Sequence, residues 1–204
     1  MPGFPIVLSA ASGTGKTTLA HLLLDARKNM CLSISTTTRA PRGEERDGVD
    51  YNFVDDNTFD AMIERGAFIE WAEVHGKRYG SSAEATRAKL DDGLDVLFDI
   101  DVQGGQQIKD RFSDACLIFI LPPSMEALEK RLRGRGTDGE AVIAQRLSNA
   151  REEIALGLAG YDYVITNDRL DRAISDLLAI SRAHRLRRMD RAKIREKLLG
   201  PQAQ

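Results

Sequence analysis

Ala10-Ala11-Ser12-Gly13-Thr14-Gly15-Lys16-Thr17-Thr18 decides the fold. It follows the apolar run Ile6-Val7-Leu8 and precedes Leu19, Leu22, Leu23 and Ala26, which are spaced as one face of a helix. A strand, a glycine loop and a helix in that order give a Walker A match its mechanism. Gly13 and Gly15 let the backbone turn its N–H groups inward around a polyphosphate. The helix that follows aims its N-terminus, and its partial positive charge, at the same point. Lys16 then reaches the β- and γ-phosphates, and the Thr17 hydroxyl holds Mg²⁺. The pattern G-x-x-x-x-G-K-[ST] has Ala10 where its first glycine stands. Alanine avoids positive φ, so the expectation is a slightly different loop entry.

Beyond the loop, strand and helix signals alternate. Cys31–Ser35, Tyr51–Val54, Ala67–Val74, Leu94–Ile100, Ala115–Leu121 and Tyr161–Thr166 read as strands. Helical faces read at Phe59, Met62 and Ile63, at Ala85, Ala88 and Leu90, and at Met125, Leu128 and Leu132. Two more read at Val142, Ile143, Leu147, Ala150 and Ile154, and over Leu170–Arg188. Repeated β-α units with continuous apolar strands predict an α/β fold: a parallel sheet with helices on both faces. Residues 36–81 break the rhythm with short strands and dense polar and aromatic residues, which reads as an inserted subdomain. Thr36 to Asp50 is too rich in turn formers to form an element.

The chain of 204 residues carries a net charge of −2 and is 42% hydrophobic, which suits one packed domain without a general affinity for nucleic acid or membrane. Cys31 and Cys116 lie far apart in or beside apolar runs, so free thiols are expected and no metal-ligand spacing exists. No leader-like segment precedes the first strand, and no apolar run approaches the roughly 18 residues of a spanning helix. A reducing, cytoplasmic setting is the expectation.

Two further constellations carry chemistry. Asp99 and Asp101 end a buried strand, the edge at which parallel sheets bind ligands. An acid there resembles a Walker B aspartate that positions Mg²⁺, a reading preferred for either residue over a helix N-cap or a loop ion pair. In the inserted segment, Arg39 and Arg42 near Tyr51 suit a doubly charged phosphate, since guanidinium forks bind phosphate bidentately. Glu70, within Phe68-Ile69-Glu70-Trp71, needs a partner if it faces inward. Guanine offers two adjacent donors, N1–H and the 2-amino group; adenine does not. By spacing alone, Arg39, Arg42 and Glu70 read equally well as solvated charges.

From about residue 4 to about residue 185 the chain resembles a guanylate kinase. The marks are Ser33–Glu44 (SISTTTRAPRGE), Tyr51–Val54, Phe68–Ala72, Tyr79-Gly80-Ser81, Asp99–Gly104, Pro122-Pro123-Ser124, Arg131–Thr137, Arg146-Leu147 and Asn167-Asp168. The resemblance implies a phosphate-loop kinase core, about 1–35 and 82–188. To this it adds a GMP-binding insertion over about 36–81, a lid over about 131–150 and a basic tail over about 189–204. It implies that Ser35 and Glu70 read guanine, that Arg39, Arg42, Tyr51 and Tyr79 hold the GMP phosphate, and that Ser81 and Asp101 complete that site. Ala10 through Thr18, with Arg131, Arg135, Asn167 and Asp168, would bind ATP. Lys16, Arg42, Arg135 and Arg146 would be catalytic, and Thr17 and Asp99 would hold Mg²⁺. The substrates implied are ATP and GMP, with no membrane or nucleic acid; monomer and homo-oligomer both stay open. Arg78 stands where a second tyrosine often precedes Tyr79.

Two rival readings are a related scaffold domain that binds protein partners and another small-molecule kinase. Gly15-Lys16-Thr17 argues against the first, and the set Ser35, Arg39, Arg42 and Glu70 against the second. The stretch Arg182–Lys197 holds eight Lys or Arg and reads as a solvated extension of the last helix in preference to an RNA-binding arm.

Overall fold

A computed structural model describes residues 2–74, 76–134, 136, 138–189 and 191–200. Arg135 and Thr137 therefore lie outside the described residues. The chain runs β1 (Pro5–Ala10), α1 (Lys16–Ala26), β2 (Met30–Leu32), β3 (Ser35–Thr37), β4 (Asn52–Phe53), α2 (Asp56–Glu64), β5 (Phe68–Val74), β6 (Lys77–Ser82) and α3 (Ala83–Asp91). It continues through β7 (Asp95–Asp99), α4 (Val102–Arg111), β8 (Cys116–Leu121), α5 (Met125–Arg133), α6 (Glu140–Gly160), β9 (Tyr163–Thr166), α7 (Leu170–Arg187) and α8 (Arg191–Leu199).

The main sheet has the order β2-β7-β1-β8-β9 and is parallel throughout. Its central strands are apolar on both faces because both faces are covered. Phe4, Ile6 and Leu8 pack with Leu19, Leu23 and Leu177 on one side. Val7, Val96 and Phe98 pack with Leu90 and Ile108 on the other. A third cluster joins Ala11 of the glycine loop to Leu128, Leu132, Ile143 and Ala150 of α5 and α6. Helix starts follow the capping chemistry of the sequence: Asp55, Ser82, Asp101 and Ser124 each accept a backbone N–H three residues on.

A second sheet, β4-β3-β6-β5, stands at the C-terminal edge of the first. The strand expected over Cys31–Ser35 divides here. Met30–Leu32 pairs with β7, whereas Ser35–Thr37 pairs with β6 and β4. Thr36 and Thr37 are buried β-branched residues in the latter strand, so β-structure extends into the stretch expected to form no element. Lys77–Ser82 carries no apolar alternation, yet it is held from both sides by β5 and β3. Val142 was expected inward but is 48% exposed; Ile143, one residue on, takes the buried position.

Asp95 is fully buried at the start of β7. Its carboxylate accepts from Arg27 Nη2 at 3.0 Å and Arg185 Nη2 at 2.5 Å, which ties the end of α1 and the end of α7 to the sheet. Removing one partner of such a group leaves uncompensated charge. Asp95→Ala is expected to lower unfolding free energy by about 3 kcal/mol, measured by urea denaturation.

Candidate active site

The loop after β1 is set by two glycines. Gly13 has φ 93° and Gly15 φ 98°, both left-handed, where a side chain would be strained. A Cβ on Gly15 would also lie 2.8 Å from Asn167 Nδ2. Gly15 sits at the N-cap of α1 and offers no side chain, so the first helical N–H groups stay open to an anion. Ala10 is the last residue of β1, paired with Ile120, and an extended residue needs no positive φ. The conformational demand falls on Gly13 and Gly15 instead.

The loop is braced from behind. Thr14 Oγ1 donates to the Ala11 carbonyl at 2.7 Å. Asn167 Nδ2 donates to the Thr14 carbonyl at 2.8 Å, and Arg131 donates to the carbonyls of Thr14 and Asn167 at 3.1 and 3.0 Å. Arg131 and Asn167 thus shape the loop. Asp168 is exposed and accepts the Arg169 N–H.

Lys16 Nζ lies 2.5 Å from Asp99 Oδ1 and donates to the Ile100 carbonyl at 2.9 Å. Thr17 Oγ1 donates to Asp99 Oδ2 at 3.2 Å. β1 and β7 are adjacent, so the helix after one and the last residue of the other meet here. A hydroxyl and a carboxylate are the hard oxygen donors Mg²⁺ takes, beside water and phosphate oxygens. Among the described residues no cluster of three or more His, Cys, Asp or Glu suits a metal held by protein alone.

Two clefts meet at Lys16. One, about 360 Å³, is lined by Ala10 through Thr18 with Asp101 and Glu153. The other, about 210 Å³, lies between the sheets and is lined by Lys16, Ser35, Tyr51, Glu70, Tyr79 and Asp99 among others. Lys16, Val74 and Asp101 border both. Asp101 is also the N-cap of α4, accepting the Gly104 N–H at 3.0 Å.

Glu70 is 3% exposed and accepts from Ser81 Oγ at 2.6 Å. Burial raises its pKa to about 7; the nearby Asp101 adds to this and the Ser81 hydroxyl opposes it. Gly104 allows the close approach of α4, since a Cβ there would lie 2.7 Å from Glu70 Oε2.

Arg39 is buried and bidentate on Glu45, with both N–O distances 2.9 Å, and its guanidinium lies over the Tyr51 ring at 5.1 Å. Glu45 also accepts the Arg42 N–H at 2.8 Å. The Arg39 hydrogen bonds hold the Glu45 carboxyl below its ordinary pKa. Sequence reasoning passed over Glu45; its signal is an acid six residues after Arg39 within one turn-rich loop. Arg42 itself is exposed and lines neither cleft. Arg146 pairs with Asp138 at 3.2 Å and also lies outside both clefts. Arg78 binds Asp56 and Asp60 of α2 and covers the Phe59 ring at 4.9 Å, which fastens β6 to that helix.

A protein-family model described as "Guanylate kinase" matches residues 3–184. The chain belongs to the guanylate kinase family. It is 56% identical over 187 residues to the guanylate kinase of Myxococcus xanthus, covering 92% of this chain and 90% of that protein. It is 53% identical over 192 residues to that of Anaeromyxobacter dehalogenans, covering 94% and 85%. The crystal structure of guanylate kinase from Anaplasma phagocytophilum superposes with a TM-score of 0.81 at 32% identity, covering 99% of this chain and 98% of that one. The family therefore extends over the parallel core and the second sheet alike.

Glu70 supplies a pH test within this guanylate kinase fold. Its folded pKa lies above the ordinary carboxylate value, so the stability it contributes is present at low pH and lost as pH rises toward about 7. Relative to Glu70→Gln, the unmodified chain is expected to lose on the order of 3 kcal/mol of unfolding free energy between pH 4.5 and 8, read from paired denaturation curves.

Proposed function

We infer that this chain transfers the γ-phosphoryl group of MgATP to GMP, and to dGMP, giving ADP and GDP (or dGDP) in purine nucleotide metabolism. The observation that carries the reading is the contiguity of the two clefts. A loop of open N–H groups and a site with one buried carboxylate share Lys16 at their boundary. The first suits a polyphosphate donor. The second suits an acceptor with two adjacent N–H donors.

Guanine N1–H and the 2-amino group would donate to the ionised Glu70 carboxylate, with Ser35 on the O6 edge and Ser81 fixing Glu70. The buried carboxylate gives discrimination its force, because adenine would leave it unpaired. Arg39, Tyr51 and Tyr79 would hold the acceptor phosphate, and Arg42 would swing its exposed side chain to it. A GMP phosphate oxygen then attacks the γ-phosphorus in line, and the bond to the ADP oxygen breaks. That oxygen is anionic at neutral pH, so no side-chain nucleophile is needed; catalysis is alignment and charge stabilisation.

Lys16 would neutralise charge on the transferring group, joined by Arg146 and Arg135 once the 131–150 segment closes. Thr17 and Asp99 would hold Mg²⁺, which when bound supplies charge neutralisation at the phosphates. Water is the competing acceptor, so residues 36–81 and 131–150 are the parts assigned to closure. No helix among the described residues is long and apolar enough to cross a membrane, and the cytoplasm is the proposed setting.

The site makes two demands. Lys16→Ala is expected to lower kcat at least a hundredfold. Glu70→Gln is expected to raise the KM for GMP more than tenfold with the KM for ATP within twofold. Both are read by coupled ADP release, and near-normal turnover in Lys16→Ala would contradict the loop's role.

A further inference from the structure

The second sheet meets the core at a strand edge. In the order β4-β3-β6-β5, β5 has a strand on one side only, and α4 packs against it. At Trp71 that edge is closed by a side chain in place of a strand. The Trp71 N–H donates to Gln107 Oε1 at 3.1 Å, and Gln107 Nε2 donates to the Trp71 carbonyl at 2.8 Å. A primary amide carries an acceptor and a donor at one tip, so it pairs both backbone groups of one residue as a neighbouring strand would.

The residue held in this way follows Glu70. Successive residues of a strand point to opposite faces. Glu70 is accordingly buried at the cleft between the sheets, while the Trp71 ring is partly exposed and lies edge-on to Phe59. The register of β5 on β6 shifts between Phe68 and Glu70, where two steps along β5 meet one step along β6. A bulge of this kind disrupts the ladder locally and re-aims the side chain beside it. Pairing with β6 therefore leaves the direction of Glu70 to an anchor outside the sheet, and α4 supplies one. Gly104, one turn before Gln107 on the same side of that helix, comes so close that a Cβ there would lie 2.7 Å from Glu70 Oε2. The helix starts at Asp101, which borders both clefts.

We propose that Gln107 is a positioning residue for base selection: its amide fixes the β5 backbone at Trp71 and so aims the Glu70 carboxylate at the acceptor base. A carboxylate that must meet two adjacent N–H donors at once tolerates little misalignment, because hydrogen bonds weaken steeply with angle. The role rests on the reading of Glu70 as the group that selects guanine.

The test uses the full chain. Gln107→Met keeps the length and helix preference of the side chain and removes both hydrogen bonds. It is expected to raise the GMP KM about tenfold, with the MgATP KM within twofold. Gln107→Glu can accept the Trp71 N–H but sets an ionised oxygen against the Trp71 carbonyl. It is expected to act in the same direction, and it covers a failure of the methionine variant to melt cooperatively. In a Glu70→Gln background, adding Gln107→Met is expected to change the GMP KM no more than twofold, because the two residues act as one unit. An unchanged GMP KM in both single variants would overturn the proposal. So would an equal rise in the MgATP KM, which marks general loosening. A full effect persisting in the Glu70→Gln background would also overturn it, by making Gln107 act elsewhere. An unmodified chain that used AMP as well as GMP would instead defeat the guanine reading of Glu70 itself, and this role with it.

Discussion

The contact on which the site depends joins Lys16 to the end of β7. Its ammonium lies against the Asp99 carboxylate and the Ile100 carbonyl, so the first residue of α1 is fixed to the strand beside β1. That fixing orients two features together. The N-terminus of α1 faces one cleft, and the turn from Asp99 to Asp101 faces both. A parallel sheet makes this geometry possible, because adjacent strands end at the same edge and leave their following loops side by side. The glycines of the loop and the apolar strands beneath it serve that one junction.

Charge compensation recurs across the site. Lys16 is paired with Asp99, Arg39 with Glu45, and Arg146 with Asp138. In the proposed reaction, phosphate oxygens take the place of carboxylate oxygens on some of these cations. Affinity then reflects the difference between two charge-assisted interactions and not the full strength of either. Glu70 stands apart. Among the described residues its only side-chain hydrogen-bond donor is neutral, the Ser81 hydroxyl. It therefore keeps acceptor capacity for a base, and its desolvation makes a mismatched base costly.

Much of the core was legible because its signals are local. An apolar run, a glycine loop and an amphipathic helix define β1 to α1 without reference to distant residues, and the run at Leu94–Ile100 likewise matches a central strand. The second sheet was less legible because its strands are polar and short. Lys77–Ser82 becomes a strand through partners on both sides, and Ser35–Thr37 through a hand-over between sheets. Site residues followed the same division. Lys16, Thr17 and Asp99 were readable from the loop and the strand end. Glu45, six residues after Arg39 in one loop, lay within reach of a local reading, whereas the approach of Glu153 to the loop cleft from a helix over a hundred residues away depends on tertiary contact that spacing does not encode. Arg131 and Asn167 were expected at the ATP site through the resemblance, but the bonds they make to backbone carbonyls at the loop were not readable.

The central claim is that a buried carboxylate beside a phosphate loop selects guanine as the base of the acceptor. The most direct measurement is phosphoryl transfer from MgATP to a panel of GMP, AMP, CMP and UMP, read as kcat/KM for each. The account predicts that GMP exceeds AMP by at least a thousandfold, about 4 kcal/mol of discrimination, as expected when a mismatched base leaves a buried polar site unpaired. Comparable kcat/KM for AMP and GMP would contradict it.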